Sequence, residues 1–483
     1  MIINDSEFPP LPSQVKRKSH PKSNRKKPAA QKRENGITTA NDLPDELFLE
    51  ILQYLPCLDL DNFNQRTIIS LSLTNRRLHY IVEKELYTAY NNFFCNPYLF
   101  LRTCANNRRI AEKVQTLELS YGPGVQESCK RYTPSVADRR DLKAAFKNLS
   151  IPGWKEWATD CNDESVNLDI LYASILMFTP NVKSLTIDDG SLPYGFPKWL
   201  NLIQSAVTGA SLGTVHRFSH LESIRIDVEE LSLRHLWSLF RLPSLRQLTL
   251  LGLSDNGDAN QSILTTKFWK APPGSSPIQE LVLLDCLLSL PHLVLLIKSC
   301  ATLRVFAHRH HGQGLYIPYM HANPSRDPVN LRYPGLIAAL KPHHHSLETL
   351  QLWSKFEEQR HPHDETGFMG DFGDFKNVTT LKASFSALVN PAQSPTMLVR
   401  SLPPSLRTLT LSVGGASREL DCMPALEYMA AHCRTYLPRL ENIHADVKFP
   451  KSLVYYGLDR LQKPFRDAGV KLHVTQPLAF SAW

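Results

Sequence analysis

Apolar residues recur along most of the chain in one six-residue frame, apolar-x-x-apolar-x-apolar. It reads VQTLEL (114–119), VKSLTI (182–187), LESIRI (221–226), LRQLTL (245–250), IQELVL (278–283), LETLQL (347–352) and LRTLTL (406–411). Weaker copies are LRVFAH (303–308), VTTLKA (378–383) and LENIHA (440–445), which makes ten. The second half of the frame alternates with the period of a strand, so Leu185 and Ile187 point to a core while Ser184, Thr186 and Asp188 point outward. Proline or a helical run precedes many copies, as in TPNVKSL, LPSLRQL, SPIQEL, PPSLRTL and LPRLENI. The order is therefore helix, loop, strand, repeated. One such unit cannot bury its own apolar face, whereas stacked units share a continuous core under a curved parallel sheet.

These features predict an α/β fold of the leucine-rich-repeat class over residues 114–475. LVLLDC places Cys286 at the Asn/Cys position of the L-x-x-L-x-L-x-x-N/C pattern. Successive copies start 24 to 68 residues apart, against ~20–29 for a leucine-rich repeat, so the solenoid carries insertions. The longest interval, 114 to 182, has room for a further degenerate copy. A doubly wound sheet is the structural alternative, but its units would not share the frame.

The chain before the frames is helical in pattern. In NDLPDELFLEILQYLP (41–56), Pro44 suits a first helical turn and Asp45 and Glu46 sit where the helix dipole favours acids. Seven of the nine residues from Leu47 to Leu55 are apolar or aromatic, more than one buried stripe requires. A second helix is expected over TIISLSLTNRRLHYIVEKELY (67–87), with Ile69, Leu73, Ile81 and Leu86 apolar. Another is expected over NPYLFLRTCANNRRIAEKV (96–114). Residues 1–38, rich in Pro, Lys, Ser and Asn, predict a disordered tail.

Charge sharpens this division. Residues 1–36 hold nine Lys and Arg against three acids, so +6 of the chain's +8 lies in the tail. The nearly neutral remainder gives no electrostatic reason to expect nucleic-acid binding. KRKSHPKSNRKK is either a nuclear import signal, over 16–27, or a solvated basic tail. Nine cysteines without a C-x-x-C pair, and no apolar signal segment, point to reduced thiols in the cytoplasm or nucleus. The most apolar run, 281–300, contains Asp285, Pro291 and His292, so it reads as a buried strand and helix rather than a membrane span.

Among motifs of catalysis, no Walker loop, H-E-x-x-H or G-x-G-x-x-G occurs. The histidines at 308, 310, 311, 343–345, 361 and 363 are expected in solvated loops, with no cofactor or metal. Outward strand positions are the better candidates for binding. They run from acidic and polar, through Arg225, to apolar at Leu251, Val282 and Leu284, then to cationic and aromatic at Arg309, Trp353 and Lys382. Trp and Arg beside apolar area favour a protein-binding site.

LPDELFLEILQYLP followed by LSLTNRRLHYIVEKELY resembles the F-box, a three-helix module, over residues 41–87. LFLRTCANNRRIAEKVQTLELS (99–120) is similar to the segment joining F-box and repeats in fungal F-box proteins. Two features depart from the family: DNFNQRT (61–67) lengthens the region before the second helix, and Leu78 stands where a Trp or Phe often follows the paired basic residues. The resemblance implies docking on a Skp-type adaptor of a cullin ubiquitin ligase, with Leu43, Pro44, Leu47, Ile51, Leu52 and Leu55 as docking or module-core residues. It implies a non-catalytic substrate receptor. Together with the composition and the repeated frame, the chain reads as a basic tail (1–38), an F-box (41–87), a helical linker (88–113) and a solenoid (114–475). The target, an unidentified protein, would lie on Arg225, Leu251, Leu284, Arg309, Trp353 and Lys382; no membrane partner is expected. A repeat scaffold without a ligase, or an enzyme with its site in 121–180 or 312–345, are the alternatives.

Overall fold

The chain divides into two units, Met1–Pro56 and Cys57–Trp483. The computed structural model describes residues 43–53, 63–93, 95–122, 132–163, 167–188, 196–227, 233–253, 268–286, 288–310, 333–354, 369–389, 394, 396–413, 422–447 and 453–475. The expected tail with its import signal, Leu55, and the histidines at 311, 361 and 363 lie outside them. In the first unit, α1 (Asp45–Gln53) begins with its two acids in the first turn, and Phe48 N–H donates to the Pro44 carbonyl.

The second unit opens with α2 (Phe63–Thr74) and α3 (Arg76–Thr88). The pattern predicts a single helix over 67–87, and Asn75 breaks it. Extended at φ −160°, Asn75 accepts the Leu78 N–H at 2.8 Å and so N-caps a new helix. Leu78 itself, at the family's Trp or Phe position, is buried. The linker expected to be wholly helical contains a strand, β1 (Ala89–Asn91), before α4 (Pro97–Asn106) and α5 (Arg108–Ala111). Asn107 ends α4 and N-caps α5 through its side chain.

All twelve strands among the described residues lie in one parallel sheet, in chain order from β1 to β12. After β1 come β2 (Thr116–Ser120), β3 (Ser184–Asp188), β4 (Ser223–Asp227), β5 (Gln247–Leu251), β6 (Glu280–Cys286), β7 (Val305–His310), β8 (Thr349–Ser354), β9 (Thr380–Ser384), β10 (Thr408–Val413), β11 (Asn442–Val447) and β12 (Lys471–Thr475). Each of the ten frames falls on one strand from β2 to β11. The pairing aligns frame with frame, so Leu117, Leu185, Ile224, Leu248, Leu281, Phe306, Leu350, Leu381, Leu409 and Ile443 form one inward column. Tyr90 on β1 and Leu472 on β12 extend that column in units whose sequence lacks the frame. Among the described residues no additional strand fills the 114–182 interval, and β2 pairs directly with β3. Instead it holds helices Val136–Leu149, Trp154–Cys161 and Leu168–Phe178.

Between strands the chain returns through helices such as Lys198–Thr208, Leu290–Ser299 and Cys422–Tyr436. The inward columns and these elements share one apolar core running from Tyr90 to Val470. Burial of a leucine contributes about 1.5–3 kcal/mol, and repetition of that term makes the stack cohesive. Before four of the strands the preceding residues pair across neighbouring strands: Arg304 donates twice to Glu348, at 2.9 Å each, and Arg407 lies 3.5 Å from Glu441. The run 281–300 is the buried strand and helix expected of it. Among the described residues no helix is long and apolar enough to cross a membrane.

Two histidines expected in solvated loops are core residues. His308 lies on β7 at an inward position, 1% exposed. Buried His343 accepts the Leu303 N–H on Nδ1 at 3.3 Å, so Nε2–H donates to the Ile297 carbonyl at 3.3 Å. His216 does the same, its Nδ1 accepting from Phe218 N–H and its Nε2 meeting the Leu176 carbonyl at 2.7 Å. Burial lowers the pKa of both rings.

Candidate functional site

α1 carries apolar side chains on more than one face, as the sequence pattern requires. Phe48 and Leu52 are buried, whereas Leu47 is 43% and Ile51 49% exposed. Pro44 is also exposed and Leu43 half-buried. Pro44, Leu47 and Ile51 follow one another at spacings of three and four, which places them on one face of the helix. Leu52 belongs to the buried set. On α2 and α3, Leu73 (60%) and Tyr80 (65%) are exposed. Leu73 belongs to the apolar residues expected of its helix. Tyr80 gives no sequence signal, because Arg76, Arg77, Glu83 and Lys84, its neighbours at helical spacing, make the position read as surface.

Glu83 on α3 is buried and ties that helix to α5 and the residues just beyond it. Its carboxylate accepts from Arg109 Nη2 at 2.8 and 3.0 Å and from Lys113 Nζ at 3.1 Å. Beyond α3, Asn92 follows β1 and is buried, its polar atoms satisfied by hydrogen bonds. Its Nδ2 donates to the Ser120 carbonyl at 2.8 Å and to Tyr172 Oη, and its Oδ1 accepts the Ser120 N–H at 2.8 Å. Nearby, Tyr121 donates to buried Asp169 at 3.0 Å. Burial raises the Asp169 pKa despite the bond it accepts from Lys198 N–H.

The outward residues named from the sequence do not form one cluster. Arg225, on β4, stands exposed between Thr186 and Thr249. Leu251 and Leu284 are direct neighbours across β5 and β6. Arg309 is directly opposite Trp353 across β7 and β8, and Lys382 is one strand further on, beside Gln351. Arg309 Cζ lies 6.0 Å and Lys382 Nζ 4.8 Å from the centroid of the Trp353 ring. A cation at such a distance contributes about 0.5–2 kcal/mol, more as water is excluded.

Asp285 completes this cluster, and no sequence pattern marks it as a member. Between Leu283 and Cys286 the β6 strand advances three residues while β7 advances two, from His308 to His310. That bulge puts Asp285 at φ 53°, a region few residues without glycine's freedom adopt. Its carboxylate pairs with Arg309 Nη2. The adjacent Cys286 thiol donates to the Leu284 carbonyl at 3.3 Å, and burial pushes its pKa up to about 12. The run LLDC breaks strict alternation, the one local sign of the bulge.

No curated protein matches the chain. Residues 41–88 match the family model of the F-box domain, so the exposed face of α1 and the pair α2–α3 are parts of an F-box.

Proposed function

We propose that the chain is the substrate-recognition subunit of a Skp–cullin–F-box ubiquitin ligase. F-box domains bind Skp-type adaptors in cullin ligases, and proteins that carry them are generally non-catalytic receptors. The observation that carries the reading is the F-box at 41–88 with Leu47 and Ile51 exposed on its first helix. In this reading Pro44, Leu47 and Ile51 meet the adaptor and Leu43 flanks them; Leu52 and Leu55 complete the docking or module-core set.

The sheet is read as a leucine-rich-repeat solenoid, supported by ten aligned frames and by Cys286 bonding at the Asn/Cys position. Its outward face, from Arg225 through Leu251 and Leu284 to Arg309, Trp353 and Lys382, holds a target protein. The ligase's other subunits then transfer ubiquitin to that target, and this chain raises the rate by holding the target close. The chain works in the cytoplasm or nucleus, and 99–120 joins F-box to repeats as in fungal relatives.

The test is co-purification of a Skp-type adaptor with the full chain. Ile51→Asp places a charge on an exposed position, so folding is retained while adaptor capture is lost. An adaptor that never co-purifies, or that is captured equally by Ile51→Asp, would sink the ligase reading. Target binding that survives deletion of 41–88 without any adaptor association would favour a scaffold.

A further inference from the structure

The outward face carries an electrostatic asymmetry around Trp353. Of the two cations against its ring, Arg309 is paired with Asp285, while no carboxylate lies within ion-pair distance of Lys382 among the described residues. The cross-strand neighbours of Lys382 are the uncharged Gln351 and Thr410. The Arg309 guanidinium is only partly exposed, its Nε buried and without a hydrogen bond among the described residues, so the side chain is held in place beside the Trp353 ring. Two cations against one acid leave the cluster at a net single positive charge.

We infer that Arg309, Trp353 and Lys382 receive one carboxylate side chain from an extended segment of the target, while Leu251 and Leu284 receive a large apolar side chain of that same segment. This rests on the outward face being the target-binding surface and names the chemistry it selects. A carboxylate matches the single surplus charge. A dianionic phosphate exceeds it and is repelled by Asp285, which the β6 bulge fixes beside Arg309. The spacing is set by the sheet. The apolar pair is centred between β5 and β6, and the carboxylate site on β8, two and a half strands away. At ~4.8 Å per strand this is about 12 Å, which an extended peptide covers in three to four residues at ~3.3 Å each.

The experiment measures binding of fluorescent twelve-residue peptides to the purified full chain by anisotropy. Each peptide has one Leu and one Glu at separations of one to six in a Gly-Ser background. Separations of three and four are expected to bind tightest, with Glu→Gln about tenfold weaker, the lower end for a hydrogen bond to a charged group. Lys382→Met weakens the Glu peptide by a similar factor. Lys382→Glu abolishes its binding and accepts the peptide in which Lys replaces Glu. The thermal midpoint of each variant, unchanged because Lys382 is half-exposed, shows that the fold is intact.

Affinity indifferent to the acid or to its separation, no binding by any peptide, or tighter binding of a phosphoserine peptide would each overturn the inference. Binding through Leu alone, lost in Leu251→Asp, would overturn it yet leave the outward face as the docking surface. Binding unchanged by Leu251→Asp and Trp353→Ala alike would overturn both.

Discussion

Glu83 tests how the last F-box helix is fixed to the body of the protein. Its side chain is 2% exposed, against 60% for Arg109 and 24% for Lys113. A carboxylate so buried is destabilising unless its cations stay bonded. Arg109→Ala leaves Lys113 in place and removes a cation that is largely hydrated, so the loss is about 1 kcal/mol. Lys113→Ala leaves the two Arg109 bonds and should lose a similar amount. The Arg109→Ala/Lys113→Ala double strands the charge, and the loss rises to about 3–5 kcal/mol, more than the singles together. Adding Glu83→Leu removes the stranded charge and recovers most of it, since apolar groups replace buried ion pairs at little loss. Urea unfolding of the full chain gives the free energies, and hydrogen exchange at α3 amides locates them. A double variant equal to the sum of its singles, or a triple no more stable than the double, would refute a water-excluded clamp.

Three further outcomes are expected from the packing. His216 and His343 are held neutral, with pKa values lowered by burial; stability is therefore complete above the unfolded value near ~6.5. It falls as pH drops below that value, where the unfolded chain binds protons that the folded chain refuses. Thermal midpoints between pH 8 and 5 should show the fall, and His216→Gln with His343→Gln should flatten it. Gly213 has φ +60°, and a Cβ there would lie 2.1 Å from the Leu149 carbonyl oxygen. Gly213→Ala should thus lower stability by more than ~2 kcal/mol in denaturant titration, since both the conformation and the space exclude it. Arg434 donates to the carbonyls of Pro438 (3.1 Å), Leu440 (3.3 Å), Gly469 (2.6 Å) and Ala468. Lys cannot reproduce that fork, so Arg434→Lys should speed hydrogen exchange in β12, with a loss of about 1–2 kcal/mol.

The sequence by itself determined what depends on local periodicity. Alternation over six residues is enough to place a strand and choose its buried face, so all ten frames became strands with the expected inward residues. Pro44, the two acids after it and the crowded apolar run likewise identified α1 before any contact was known. Asn75 was harder to read, because a capping asparagine and a surface asparagine look alike until the backbone turns extended.

The tertiary structure decided what depends on register between segments far apart in sequence. Tyr90 and Leu472 join the inward column through pairing with β2 and β11, not through any frame of their own. His308 and His343 are core residues because strands and helices from other units close over them, which no local polarity pattern records. Arg309, Trp353 and Lys382 were each legible as outward residues, but 44 residues separate Arg309 from Trp353 and 29 separate Trp353 from Lys382. Only parallel pairing puts the three side by side, and only the one-residue bulge in β6 turns Asp285 out to pair with Arg309. Periodicity says which way a side chain points; the neighbour that it meets is set by which strand lies alongside, and in register with what.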